Sequence, residues 1–291
     1  MNELFKISVL VIILLGYSCS NEDTAKINVK NIYPWCVVAF DSLDRSPEER
    51  ISMLREFGFT KYAYDWEVDN LDETEKELKL AKENNLEIVS VWFWLNAKRD
   101  SVGKLSPRNE RVLNILKKSE LATTLWVSFN NNFFKDLTHE QSLHKAKSMI
   151  RFIYEKADSI GCRVELYNHG GWFGELNNQI EIINSMPEYD LKIVYNFHHG
   201  HQDIENFSQF VRKIKPYLSS VNLNGMKKDG PKILTIGEGD YESEMIELLI
   251  DEGFNGPWGI LGHVKNEDVK VVLERNLLGL KSLKIYDNSK N

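Results

Sequence analysis

Residues 163–171 read Arg163-Val164-Glu165-Leu166-Tyr167-Asn168-His169-Gly170-Gly171, and residues 192–201 read Lys192-Ile193-Val194-Tyr195-Asn196-Phe197-His198-His199-Gly200-His201. Each is a short apolar run that breaks into amides, imidazoles and glycine. In the first, side chains two apart share a face, so Arg163, Glu165 and Tyr167 point the same way. Working outward, similar runs predict strands at 35–40, 61–65, 87–94, 123–128, 163–167, 192–196, 220–223 and 258–261. The stretches between them carry apolar residues at three- and four-residue spacing. Ile51, Leu54 and Phe57 follow a Ser46-Pro47-Glu48-Glu49 helix start, in which a cap residue precedes proline and first-turn acids. Met149, Ile150, Ile153 and Ala157 precede a stop at Gly161, and a last helix is predicted over about 268–283. No linker or composition shift divides the chain. Eight strand–helix units in about 250 residues predict an α/β fold, a single (β/α)8 barrel over 32–285 with a short tail at 286–291.

The composition agrees. Hydrophobic residues make up 42% and charged residues 27% of the 291, enough apolar surface to exclude bulk disorder. Lys+Arg 36 against Asp+Glu 43 gives a net charge of -7, which opposes a nucleic-acid partner. Three cysteines exclude a disulfide scaffold, and Cys36 and Cys162 are expected as buried free thiols on opposite sides of the barrel.

Residues 1–18 read as a leader: Lys6 supplies the positive end, and 7–15 is apolar apart from Ser8 and too short for a permanent membrane helix. Cys19 follows the small residues Gly16 and Ser18, as in the lipobox that it resembles, although Leu15 stands one residue further from the cysteine than usual. This implies a lipidated Cys19, a tether over 19–31 and an exported, lipid-anchored protein of a bacterial cell envelope, whose contact with membrane is through that anchor.

The fold locates the site, because barrels of this kind carry their chemistry at the C-terminal ends of the strands. Of seven histidines, His169, His198, His199, His201 and His263 fall at those ends; His139 and His144 open the fourth helix and are expected to be solvated. Trp66, Trp92, Trp94, Trp126, Tyr167 and Trp172 crowd the other strand ends, and Asp41, Asp65 and Glu67 are further candidates. Aromatic faces with amide and imidazole donors suit a sugar, stacking on its apolar side and bonding its hydroxyls.

These phrases resemble the xylose-isomerase-like barrel superfamily of sugar isomerases, epimerases and endonuclease IV-type enzymes, from about Trp35 to Leu283. The 163–171 phrase is similar to its Glu-Asn-His segment, 194–199 to its Asp-x-x-His segment, Val221-Asn222-Leu223-Asn224-Gly225 to its His-x-x-Asp segment, and Ile236-Gly237-Glu238-Gly239-Asp240 to its Gly-Glu-Gly loop. Asn168, His169, His199 and Glu238 match residue for residue. The resemblance implies one divalent metal held by Glu, Asp, His and Glu. Here Tyr167, Asn196 and Asn222 stand at the first three of those positions, and Gly259-Ile260-Leu261-Gly262 holds no carboxylate for the fourth. Tyr and Asn are poor ligands for such an ion. Any metal would need another set, for which Glu165, His199 and His201 are candidates, with His263 or Glu238 nearby.

The resemblance therefore implies a carbohydrate-active isomerase, epimerase or lyase that abstracts a proton next to a carbonyl. His169 and His199 are the candidate acid–base pair with Glu238 as partner. Asn196, Asn222 and Asn224 position hydroxyls or stabilise an enolate, and Tyr167, Asn168, His201, Trp94, Trp172 and His263 complete the substrate site. The partner is a small-molecule carbohydrate. The alternative is a non-catalytic carbohydrate-binding lipoprotein that kept the barrel and lost the metal chemistry.

Overall fold

The computed structural model describes residues 27–66, 71–283 and 285; the leader, Cys19, most of the tether, Glu67 and the tail lie outside the described residues. Eight parallel strands alternate with helices: β1 Ile32–Trp35, β2 Lys61–Tyr64, β3 Glu87–Leu95, β4 Thr124–Phe129, β5 Arg163–Tyr167, β6 Lys192–Asn196, β7 Leu218–Leu223 and β8 Trp258–Leu261. They pair in the order β1-β8-β7-β6-β5-β4-β3-β2. The end strands β1 and β2 lie side by side, so the sheet is a nearly closed (β/α)8 barrel.

The helices begin where the sequence signals them. In α1 Pro47–Glu56, the Ser46 hydroxyl accepts from the Glu49 N–H, and the Glu49 carboxylate accepts from the Ser46 N–H at 2.8 Å. Thr138 and Gln141 repeat this capping box on α4 His139–Asp158. The remaining helices are α2 Leu71–Glu83, α3 Pro107–Lys118, α5 Gly171–Gly174, α6 Leu176–Asn184, α7 Phe207–Ile214, α8 Glu242–Asp251 and α9 Val269–Ser282. The buried Arg50 on α1 bonds Glu77 on α2 at 2.7 and 2.9 Å, and the Tyr62 hydroxyl of β2 donates to the same carboxylate at 3.0 Å. One charged pair thus ties two helices to a strand.

The first strand departs from expectation. The predicted run 35–40 is displaced, because β1 ends at Trp35. Cys36 takes a left-handed φ of 58°, and Val38–Phe40 coil into a 3-10 turn. The cause lies just past the end of β2. The Asp65 carboxylate accepts the backbone N–H groups of Val37, Val38 and Ala39 at 2.8, 3.2 and 2.9 Å, donors that a longer β1 would have offered to a ladder. This capture also links β1 to β2 at the seam.

Two apolar clusters result. One lies between barrel and helices. The other fills the barrel with Tyr33, Trp35, Ala63, Trp126, Tyr167 and Leu261. Cys36 and Cys162 are free, buried thiols. Among the described residues, no helix is long and apolar enough to cross a membrane.

Candidate functional site

Tight turns aim the histidines. After β5, the His169 N–H donates to the Tyr167 carbonyl at 2.8 Å and the Gly170 N–H to the Asn168 carbonyl at 2.9 Å. Gly170 and Gly171 then adopt φ of 74° and 61°, left-handed conformations that favour glycine, and a Cβ on Gly171 would strike the Asn131 side chain. After β6, the Asn196 side chain accepts the His198 N–H at 3.0 Å and caps a 3-10 turn over Phe197–His199. The imidazoles of His169 and His199 consequently lie 4.5 Å apart between ring centroids, with His198 4.5 Å from His199 and His263 5.1 Å from His198.

His169, His199 and His263 border a cavity of about 210 Å³ at the C-terminal mouth, and His198 stands behind them. Trp35, Trp66, Trp92 and Phe40 form its aromatic walls, Tyr167 is part of its lining, and Cys36, Asp65 and Lys265 also border it. Trp94 packs its ring 4.7 Å from His169 and 5.3 Å from Trp92. Burial pushes the His169 and His263 imidazoles down to about 4 and His199 to about 2, and the neighbouring imidazoles add to the shift. At neutral pH these rings are uncharged, each with one N–H donor and one basic nitrogen.

Below them is a hydrogen-bonded layer. The Tyr167 hydroxyl accepts from Trp35 Nε1 at 3.2 Å and from the Asn196 side-chain amide. Asn168 and Asn196 brace each other: the Asn196 N–H donates to Asn168 Oδ1 at 2.8 Å, and Asn168 Nδ2 donates to the Asn196 carbonyl at 3.2 Å. Tyr33 donates its hydroxyl to Asn222 Oδ1 at 2.8 Å. Burial holds the Tyr167 pKa well above the usual phenol range, so the phenol stays protonated.

This layer occupies the positions of the metal ligands that the resemblance implies, and it does not fit a divalent ion. Two N–H donors converge on a protonated phenol where a cation would require lone pairs. On β8, a Cβ at Gly259 would run into the Asn222 side chain, which leaves no room there for a longer residue. The substitute set does not assemble either. Glu165 shares a face with Tyr167 but lies deeper, accepting from Trp126 Nε1 at 3.0 Å, and it lines a separate cavity of about 480 Å³ among residues of the strand starts. His199 borders the opposite mouth, and His201 turns back to the His198 carbonyl at 3.2 Å, outside the lining of that cavity. Among the described residues, no group of three or more His, Cys, Asp or Glu is arranged to hold a metal.

Other candidates are also placed apart. Glu238 is exposed and lies in a neighbouring groove with Lys265 and Arg275. The buried carboxylate beside that loop is Glu242, the first residue of α8, which accepts the N–H groups of Met226, Gly237 and Gly239 at 2.8–2.9 Å. Asn224 braces the loop after β7 through the Gly225 and Lys232 carbonyls, both at 2.8 Å. Trp172 faces away from the mouth, donating to His139 Nδ1 at 3.3 Å, while His139 bonds Glu181. His144 is exposed, and Trp126 is buried within the barrel rather than at its end. Trp35, Cys36, Phe40 and Lys265 line the cavity without a motif in the sequence to mark them. Trp35 was expected at the start of its strand, and the shortened β1 puts it at the end.

No family model matches the chain, and no curated protein matches it. Solved structures do. The apo form of 3-keto-D-glucoside 4-epimerase from E. coli is 14% identical, with a TM-score of 0.60 over 86% of this chain and 98% of that one. L-ribulose 3-epimerase is 12% identical, with a TM-score of 0.62 over 89% and 95%. A probable 3-DHS dehydratase from Bacillus anthracis is 15% identical, with a TM-score of 0.61 over 86% and 98%. At these identities the likeness establishes the fold, a barrel shared with sugar epimerases and dehydratases.

Proposed function

We propose that the C-terminal mouth binds one sugar ring and moves a proton next to its carbonyl group, without a metal. The observation that carries this reading is the His169–His199 pair, 4.5 Å apart and uncharged, beside an aromatic-walled cavity of about 210 Å³. That volume lies below the range of about 300–1,000 Å³ common for ligand pockets and suits a single ring. The tryptophan faces take the apolar side of the sugar. One imidazole of the pair accepts the proton from carbon: its nitrogen is unprotonated at neutral pH, and the negative charge that develops on the adjacent enolate favours the imidazolium that burial alone opposes. The other donates its ring N–H to the carbonyl oxygen, where negative charge develops. Return of the proton to the same carbon from the other side gives an epimer; return to the former carbonyl carbon, with the neighbouring hydroxyl giving up its proton to become the new carbonyl, gives an isomer. No oxidant is consumed.

The test is a panel of keto-sugars and glycosides with product analysis. Turnover is expected in the wild type and a loss of at least about 100-fold in His169→Ala and in His199→Ala. Intact turnover in both variants would remove the assigned roles. The second reading is a non-catalytic sugar-binding protein. It is favoured by the neutral hydrogen-bonded layer at the family's metal positions, and it predicts saturable sugar binding with no product. The leader and Cys19 support export and a lipid anchor, tested by loss of membrane fractionation in Cys19→Ala.

A further inference from the structure

We propose that the sugar received by this mouth carries an anionic group, a carboxylate or a phosphate, held by Lys232 and Lys265. This deepens the proposed function and rests on it. The chain as a whole is acidic, at -7, yet two lysines stand close to this mouth. Lys265 borders the cavity next to His263. Lys232 lies on the loop after β7, where its carbonyl is bound by a ring nitrogen of His198 at 3.0 Å and by Asn224 Nδ2 at 2.8 Å. These bonds fix its backbone beside the imidazoles, and its charge acts on His198, His199 and His201.

The neighbouring cations are already engaged. Lys227 pairs with Asp240, Lys228 with Glu205, Arg275 with Glu267, and Arg45 with Asp41 and Asp268. Among the described residues, Lys232 and Lys265 are in no ion pair. The carboxylate on the cavity wall, Asp65, does not replace a ligand anion, because it is buried and receives three backbone N–H groups. Glu238 lies on the other side of Lys265, in the adjoining groove. An acidic body that leaves two lysines unpaired beside neutral imidazoles attracts and orients an anion there. The same cations would also offset charge developing on an enolate.

Isothermal titration with three sets of probes tests this: hexuronates, hexose phosphates and their neutral parent hexoses. Binding of an anionic set about tenfold tighter than the neutral parents is expected, weakening as sodium chloride rises from about 50 to 500 mM. Preference for hexuronates would assign the carboxylate, and preference for hexose phosphates the phosphate. Lys232→Ala and Lys265→Ala should each bring the ratio of anionic to neutral affinity close to one, and Lys265→Arg should retain it. Equal binding of neutral and anionic sugars, unchanged in the lysine variants, would overturn this inference and leave the proposed function standing. Failure of every sugar to bind would overturn both.

Discussion

Lowering the pH from 7 to 5 should destabilise the fold through the buried imidazoles, and His199→Asn isolates the effect. In the unfolded chain a histidine titrates near 6.5, whereas in the fold burial holds His199 at about 2. At pH 7 both states bind few protons, so stability is unaffected. As the pH falls through 6.5, the unfolded imidazole takes up a proton that the folded one refuses, and stability is lost. Over the 1.5 units from 6.5 to 5, at about 1.4 kcal/mol per unit, the loss is about 2 kcal/mol. His169, held at about 4, contributes in the same direction. Asp203 opposes them: burial raises it to about 6, so it stabilises the fold as the pH falls through that value. The total curve therefore mixes signs, but the carboxylate contributions cancel when wild type and variant are compared. Urea unfolding followed by tryptophan fluorescence at pH 7, 6 and 5 measures the difference. The stability of the wild type relative to His199→Asn should fall by about 2 kcal/mol across the range. A difference constant within about 0.5 kcal/mol would refute the picture of a desolvated, neutral His199.

Three further outcomes follow from particular contacts. Glu77→Gln leaves the buried Arg50 with only the more distant, half-exposed Glu73 carboxylate at 3.3 Å and should cost about 2–4 kcal/mol in urea unfolding, whereas a loss under 1 kcal/mol would show the pair to be dispensable. Manganese or zinc at 1 mM, compared with EDTA, should leave the melting temperature unchanged; binding at about 10 μM would add about 2.7 kcal/mol and shift it by degrees. Glu238→Gln should change sugar affinity by less than about twofold, since the carboxylate faces the adjoining groove, and a tenfold loss would return it to the site.

Much of the barrel could be read from local pattern. β5, β6 and β8 occupy the predicted 163–167, 192–196 and 258–261, because each is a short run bounded by residues that stop a strand. β1 was misplaced because 36–40 is as apolar as a strand, and its backbone donors are claimed by Asp65, about 26 residues away along the chain. The histidine cluster followed from the strand-end rule. Orientation beyond a strand did not, since turns set it: the left-handed Gly170 and Gly171 aim His169 over the mouth and carry Trp172 outward. Spacing could not distinguish Glu238, on the loop, from Glu242, four residues on at the start of α8, and only packing shows which is buried. Period two correctly paired Glu165 with Tyr167 but carried no information about depth, so Glu165 faces the opposite mouth.

Proton transfer by the His169–His199 pair without a metal would leave an isotopic trace in the sugar. Deuterium incorporation tests it most directly: EDTA-treated protein is incubated in D2O with keto-sugars and keto-hexuronates shown to bind by titration, and the carbons next to the carbonyl are followed by NMR. Exchange is expected at one such carbon in the wild type, with its loss in both His169→Ala and His199→Ala. A sugar that binds but never exchanges, or exchange that persists in both variants, would contradict it.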